Sequence, residues 1–219
     1  MPNKADLEQA LSIARGVLSG ANFERQAERS GCGFEARDAE GGILTVPFFT
    51  REYVVSLPAG DVSYADDPEK EPPLWEQIFL LHYLIRADGS KPAGEYLTYP
   101  EIPDALLYRE PFMRRALDPL EKTFGNQSDL LTKCAAAIEG VPVSDIADEA
   151  VCIHVLPRVP VTLVLWWGDE ELPPKGNVLL DKSVTAYLPT EDIMLISQMT
   201  VIRLIIEAGK LKAAEESGK

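Results

Sequence analysis

The sequence predicts an α+β fold, with small antiparallel or mixed sheets packed against four to five helices. Helical and strand-like patterns follow one another in mixed order, without the regular strand–helix alternation that builds a parallel sheet. The early strands are short and joined by Gly-rich and Asp-rich turns, which fit antiparallel pairing better than a long crossover. The chain has 219 residues, with 46% hydrophobic and 26% charged side chains, an ordinary globular composition that suffices for a sizeable core. The organisation predicted is one domain over 1–219, with residues 1–60 readable as an N-terminal helix-plus-meander subdomain.

The elements follow in order. ADLEQALSIARGVLSG is a helix with Leu7, Leu11, Ala14 and Leu18 on one stripe and Gly20 at its end. A small meander comes next: Phe34 and Ala36 alternate with Glu35 and Arg37, a turn runs over Asp38-Ala39-Glu40-Gly41-Gly42, and strands follow over Ile43–Val46 and Glu52–Leu57. DVSYADDPEKEPP is polar and proline-rich and reads as a loop. LWEQIFLLHYLIRADG is a second helix, burying Leu74, Ile78, Leu81, Leu84 and Ile85 and stopping at Gly89.

EYLTYPEIPDALLYREP is irregular and tyrosine-rich. It feeds the helix PFMRRALDPLEKTFG, which Pro119 bends or divides because it cannot donate the intrahelical bond. NQSDLLTKCAAAIEG is a further helix, capped by Ser128 or Asn126 and closed by Gly140. VCIHVLPRVPVTLVLWWG gives two apolar strands around Pro157 and Pro160. NVLLDKSVTAYL adds one more strand running into a turn. PTEDIMLISQMTVIRLIIEAGKL is a long helix opened by Thr190, with Glu191 and Asp192 in its favourable first turn. AAEESGK reads as a frayed tail.

Composition narrows the function classes. Asp plus Glu total 35 against 21 Lys plus Arg, a formal charge of -14. The acids are spread along the chain rather than gathered in a tail. Such a chain lacks the positive footprint of a nucleic-acid binder and disfavours an anionic membrane surface. The N-terminus is charged early and has no apolar core of a signal peptide. No run approaches the roughly 18 apolar residues of a membrane span. The expected location is the cytoplasm. Cys32, Cys134 and Cys152 are odd in number and far apart, which fits neither a disulfide framework nor a paired-cysteine zinc or iron–sulfur site. They read as free thiols, with Cys32, between Gly31 and Gly33, the most open to reaction.

Nucleotide-loop, zinc-protease and nucleophile-elbow motifs are all missing. The two histidines, His82 and His154, exclude a histidine-rich metal centre within one chain. No metal is expected, and the cofactor is open. His82 borders the apolar face of its helix, either as a half-buried histidine satisfied by one hydrogen bond or as a pocket residue titrating near neutrality. His154 shares a strand face with Cys152 and Leu156, opposite Val151, Ile153 and Val155.

The candidate site centres on the acidic turn of VTLVLWWGDEELPP, where carboxylates follow a strand end at once. Asp169 and Glu170 have the chemistry for general acid–base work or for a hard cation; equally, they are acids that solvate a turn. Asp181 lies at the far end of the next strand, so an antiparallel pairing places it away from Asp169. Trp166 and Trp167 face opposite ways if both lie in the strand, so that one is core and the other meets a ligand, a second layer or water. A tryptophan such as Trp167 beside carboxylates suits a cationic or flat ligand, and Tyr83 extends the aromatic set. Arg158, between the prolines of LPRVP, is suited to a carboxylate or phosphate.

These segments in order carry a family resemblance: LLHYL at 80–84, Gly89, GEYLTYPEIP, a helix ending in Phe124-Gly125, then LPRVPVTLVLWWGDEELPPKGNVLLDKSVTAYLPTED. Together they resemble the family designated domain of unknown function 3786, over most of the chain from the first helix to residue 195. Matching positions include His82, Tyr83, Pro157, Pro160, Trp166, Asp169, Glu170, Pro173 and Asp181. The resemblance implies a setting in anaerobic bacteria and archaea and a supporting role in corrinoid or one-carbon metabolism. It transfers no activity. Some relatives carry an extra cysteine-rich iron–sulfur segment; this chain has none, so no iron–sulfur cluster is expected. Three readings follow. The first is a binder of a small molecule or cofactor with no reaction of its own. The second is a protein-interaction or assembly module. The third is a carboxylate/histidine enzyme using Asp169 or Glu170 with His82.

Overall fold

The computed structural model describes residues 3–37 and 41–217. The Asp38–Glu40 part of the predicted turn lies outside them. The fold is mixed, with two antiparallel sheets packed against several helices. The chain divides into two compact units. The first comprises Met1–Pro92 with Leu156–Arg158 and Ser183–Pro189; the second comprises Ala93–Val155, Val159–Lys182 and Thr190–Lys219.

In the first unit, α1 spans Lys4–Ser19. Asn3 caps it: its side chain accepts from the Asp6 N–H at 2.9 Å, and Asp6 accepts in return from the Asn3 N–H at 3.2 Å, so two otherwise orphaned donors are satisfied reciprocally. Leu11, Ala14 and Leu18 are buried as the stripe predicts, whereas Leu7 is only half-buried. A second helix, α2 over Phe23–Ser30, escapes the sequence reading, although its signals are present: Asn22 caps it through the Arg25 N–H, and Gly31 ends it in the left-handed region at φ 72°.

Strands β1 (Gly33–Ala36), β2 (Gly42–Phe48), β3 (Arg51–Leu57) and β4 (Asp61–Tyr64) then form an antiparallel meander in sequence order. β4 lies where a loop is predicted. Its apolar residues are only two, Val62 and Tyr64, but they alternate inward and pair with Val55 and Tyr53. Helix α3, Leu74–Arg86, supplies the core. Of the predicted stripe it buries Ile78, Leu81 and Leu84, leaves Leu74 and Ile85 half-buried, and adds Phe79, Leu80 and Tyr83. The Phe79 ring lies 5.1 Å from Phe48. Glu76 is buried yet satisfied, accepting from the hydroxyls of Tyr53 at 2.9 Å and Tyr64 at 3.1 Å.

The second unit holds a sheet in the order β5-β9-β8-β7-β6. Its strands are β5 (Tyr96–Thr98), β6 (Val141–Pro142), β7 (Glu149–Leu156), β8 (Val159–Trp166) and β9 (Lys175–Asp181). β8 is central, and consecutive residues from Val161 to Leu165 are buried. That explains its uninterrupted apolar run: a strand covered on both faces does not alternate.

Helices α4 (Arg109–Phe112) and α5 (Asp118–Phe124) are joined by a π turn over Met113–Leu117. The predicted break at Pro119 therefore takes a specific form. Pro119 sits in the first turn of α5, where its missing N–H is tolerated, and the widened turn precedes it. α6 spans Leu130–Ala136 without a local cap. In place of the predicted Ser128 or Asn126, the carboxylate of Glu149 on β7 accepts from the Thr132 N–H at 2.6 Å. α7 runs from Thr190 to Ser217, so most of the predicted frayed tail is helical.

Candidate functional site

The predicted site residues fall into three places. Tyr83 and Arg158 come together in the first unit. Tyr83 points inward from α3 and is fully buried. Its hydroxyl donates to the carbonyl of Ser30, the last residue of α2, and accepts from the backbone N–H of Arg158 at 3.2 Å. The turn Pro157-Arg158 between β7 and β8 is thus fixed to α2 through one phenol. Gly31 makes the approach possible: a Cβ there would stand 3.1 Å from Arg158 Nε and 3.2 Å from Pro157 Cβ. Its φ of 72° is also a conformation that suits glycine.

Electrostatics mark this cluster. Burial pushes the Tyr83 phenol well above its ordinary range, and nearby Cys32 adds to the rise, while the Arg158 backbone hydrogen bond and guanidinium oppose it. Tyr187, whose ring centre lies 5.8 Å from that of Tyr83, is raised by burial and drawn back by Arg158. The guanidinium therefore acts on both phenols. Arg158 itself is half-buried. Its Nε is buried without an acceptor, and among the described residues its side chain makes no hydrogen bond and no ion pair. The terminal nitrogens are open to water, but Nε is a buried donor without an acceptor, which is uncommon because buried polar groups are nearly always paired. Cys32 is not the open thiol the flanking glycines suggest. It is half-buried, and desolvation pushes it up to about 11, against a smaller lowering by Ser30. At neutral pH it is a protonated, poorly nucleophilic thiol. His82, next to Tyr83 on α3, is half-buried.

Trp167, Asp169 and Glu170 lie together in the second unit, in the turn between β8 and β9. Neither tryptophan is core. Trp166 pairs with Lys175 at the last rung of the ladder, and the chain then leaves the sheet, so both rings stay well exposed. The turn is held internally. Gly168 N–H donates to Gly125 O at 3.1 Å, and Trp167 N–H donates to Asp148 Oδ2 at 3.0 Å. Asp169 Oδ1 accepts from the N–H groups of Leu172 at 2.7 Å and Glu171 at 2.8 Å. Those bonds, Leu172 first, hold the Asp169 carboxyl below its usual range. Asp169 is therefore an ionised turn-former, whereas a general base poised for neutral pH needs a raised value. Glu170 is exposed.

Asp181 stands at the opposite end of the β8–β9 pair, as the antiparallel reading predicts. It is buried and accepts from Ala93 N–H at 2.9 Å and Gly94 N–H at 2.8 Å, so it anchors the loop before β5. His154 is exposed on β7. Among the described residues no group of three or more His, Cys, Asp and Glu side chains could hold a metal ion, and no helix is long and apolar enough to cross a membrane.

The ordered segments from LLHYL to the β9 strand are matched as a whole by the model of a domain of unknown function, DUF3786, over residues 22–203. The chain belongs to the DUF3786 family. The matched span runs from the N-cap of α2 into α7, and so takes in Tyr83, Arg158 and the acidic turn of this DUF3786 chain. No curated protein and no solved structure matches it.

Proposed function

We propose that this DUF3786 protein binds a small anionic molecule or cofactor, without a reaction of its own, and that Arg158 is the anchoring cation. The observation that carries the reading is the half-buried guanidinium of Arg158, whose donors meet no acceptor among the described residues. A carboxylate or phosphate would satisfy it in the planar, two-pronged way that arginine favours. Tyr83 positions Arg158 through its backbone, and the phenol of Tyr187 is a second polar group nearby.

A carboxylate/histidine enzyme has less support. Asp169 is committed to the backbone of its own turn, and among the described residues no histidine joins Asp169 and Glu170 in a group that could hold a metal ion. A place in anaerobic one-carbon or corrinoid metabolism rests on the family resemblance alone and on no side chain of the site.

The test is native mass spectrometry of protein purified anaerobically from its own cells, beside the denatured mass, for the wild type and for Arg158→Gln. A mass excess that is lost on denaturation, and lost in Arg158→Gln, supports the reading; an excess of corrinoid size would support the metabolic setting too. An excess that persists unchanged in Arg158→Gln removes Arg158 from the site. A clean mass in both, with no response to added small carboxylates or phosphate, refutes the proposal, and an excess the size of a second polypeptide favours the interaction module.

A further inference from the structure

The turn from Trp166 to Leu172 is a second place where the chain presents more than its fold requires. Trp166 is 39% exposed, Trp167 40% and Leu172 68%. Tryptophan is usually well covered in a folded chain, and it is among the residues that dominate binding when they sit at interfaces. Here two occur in succession, Trp166 on the last rung of β8 and Trp167 just beyond it, and both are well exposed. Asp169, Glu170 and Glu171 lie between the tryptophans and Leu172, with Asp148 bonded to the Trp167 N–H. Among the described residues none of these four carboxylates is paired with a lysine or arginine.

We propose that this turn is a docking surface for a basic polypeptide segment, one that presents arginine or lysine side chains to the tryptophan rings and the carboxylates. Charge complementarity selects the occupant. A cation lying over an indole face gains from the ring quadrupole and from adjacent carboxylates at once, and a chain of formal charge -14 steers cationic partners toward it and repels acidic ones. An acidic second copy of the chain is a poor fit on the same ground. The turn is also formed in advance. The bonds from Gly168 to Gly125, from Trp167 to Asp148, and from Leu172 and Glu171 to Asp169 fix its backbone, so little ordering cost falls on association.

The test uses a fluorescein-labelled hexa-arginine peptide as probe, with anisotropy read at about 0.15 M salt, where exposed charges more than a Debye length apart are largely screened. Three variants are compared with the wild type: Trp166→Ser/Trp167→Ser; Asp169→Asn/Glu170→Gln/Glu171→Gln, in which Asn retains the acceptor that forms the turn; and a control that removes as many charges elsewhere, Glu52→Gln/Asp67→Asn/Glu69→Gln. The expected result is about tenfold weaker binding or more for the first two, near the lower range of hot-spot losses, and a change within about twofold for the control. Equal weakening in the control and the turn variants would show general charge attraction and overturn the proposal. So would unchanged binding by the tryptophan variant, or a wild-type dimer in sedimentation that the tryptophan variant abolishes, since the face would then be covered by a second copy.

Discussion

Replacing Tyr83 by Phe isolates the part played by one oxygen atom. The ring is fully buried and Phe fills the same space, so the packing contribution is preserved. Two partners are lost: the Ser30 carbonyl that accepts from the hydroxyl and the Arg158 N–H that donates to it. Ser30 is fully buried, and its carbonyl lies at the end of α2, where helical partners have run out. A buried carbonyl left unpaired costs about 1 to 3 kcal/mol. The Arg158 N–H is only partly buried, so water recovers much of that bond. A loss of about 2 kcal/mol is expected, read as a lower urea midpoint with an unchanged slope. Tyr96→Phe, at an exposed phenol, serves as the reference and should shift stability by less than about 0.5 kcal/mol. If Tyr83→Phe matched that reference, the phenol would not be the tie between α2 and the Pro157-Arg158 turn, and its positioning of Arg158 would fall with it.

Three further outcomes follow from the same geometry. Gly31→Ala places a Cβ 3.1 Å from Arg158 Nε at a φ of 72°; a loss of about 1 to 2 kcal/mol in chemical denaturation, with weaker anion binding by calorimetry, is expected, and an unaffected protein would refute the close approach. Burial raises Cys32 and Cys134 each to about 11, and Cys152 is raised too; the unfolded chain then loses these protons first, so stability falls as pH rises from about 9 toward 11, by about 2 kcal/mol for Cys32 at pH 10.5. Cys32→Ala should flatten that slope in urea titrations between pH 8 and 10.5, and an unchanged slope would contradict the buried thiol. Glu149→Ala removes the acceptor of the Thr132 N–H and should cost about 1 kcal/mol, whereas Glu149→Gln keeps an acceptor and discharges a buried oxygen that has no partner; calorimetric melting should therefore rank Gln above Ala, and the reverse order would rule out the capping role.

What could be read from the sequence was what short-range chemistry decides. The stripe of Leu11, Ala14 and Leu18, the reach of α3 and the antiparallel β8–β9 pair, with Asp169 and Asp181 at opposite ends, all follow from periodicity and breakers. What could not be read depends on distant partners. β4 becomes a strand because Val62 and Tyr64 find β3. α6 starts because Glu149 arrives from β7. α2 was legible in principle from Asn22 and Gly31, but its body, FERQAERS, is too polar to show an apolar stripe. At the candidate site, the sequence offered Tyr83 and Arg158 as separate members of a longer roll of residues. Only the fold pairs them, because they stand 75 positions apart in the chain, and only the fold shows Asp169 occupied by its own turn.

The two ends of the larger sheet carry a consequence for behaviour at high concentration. The long strands β7 and β8 have the apolar, β-branched character that recruits other chains when it lies at a margin. Here the outermost positions belong instead to β5, three residues long, and to β6, two residues long and ending in Pro142. A short margin offers few free N–H and C=O groups for a foreign strand to extend, and a proline offers one fewer. Losing β6, by truncation or by unpairing of Val141 from Cys152 and Pro142 from Val151, would bare that part of β7 and lengthen the margin on which a foreign strand can grow.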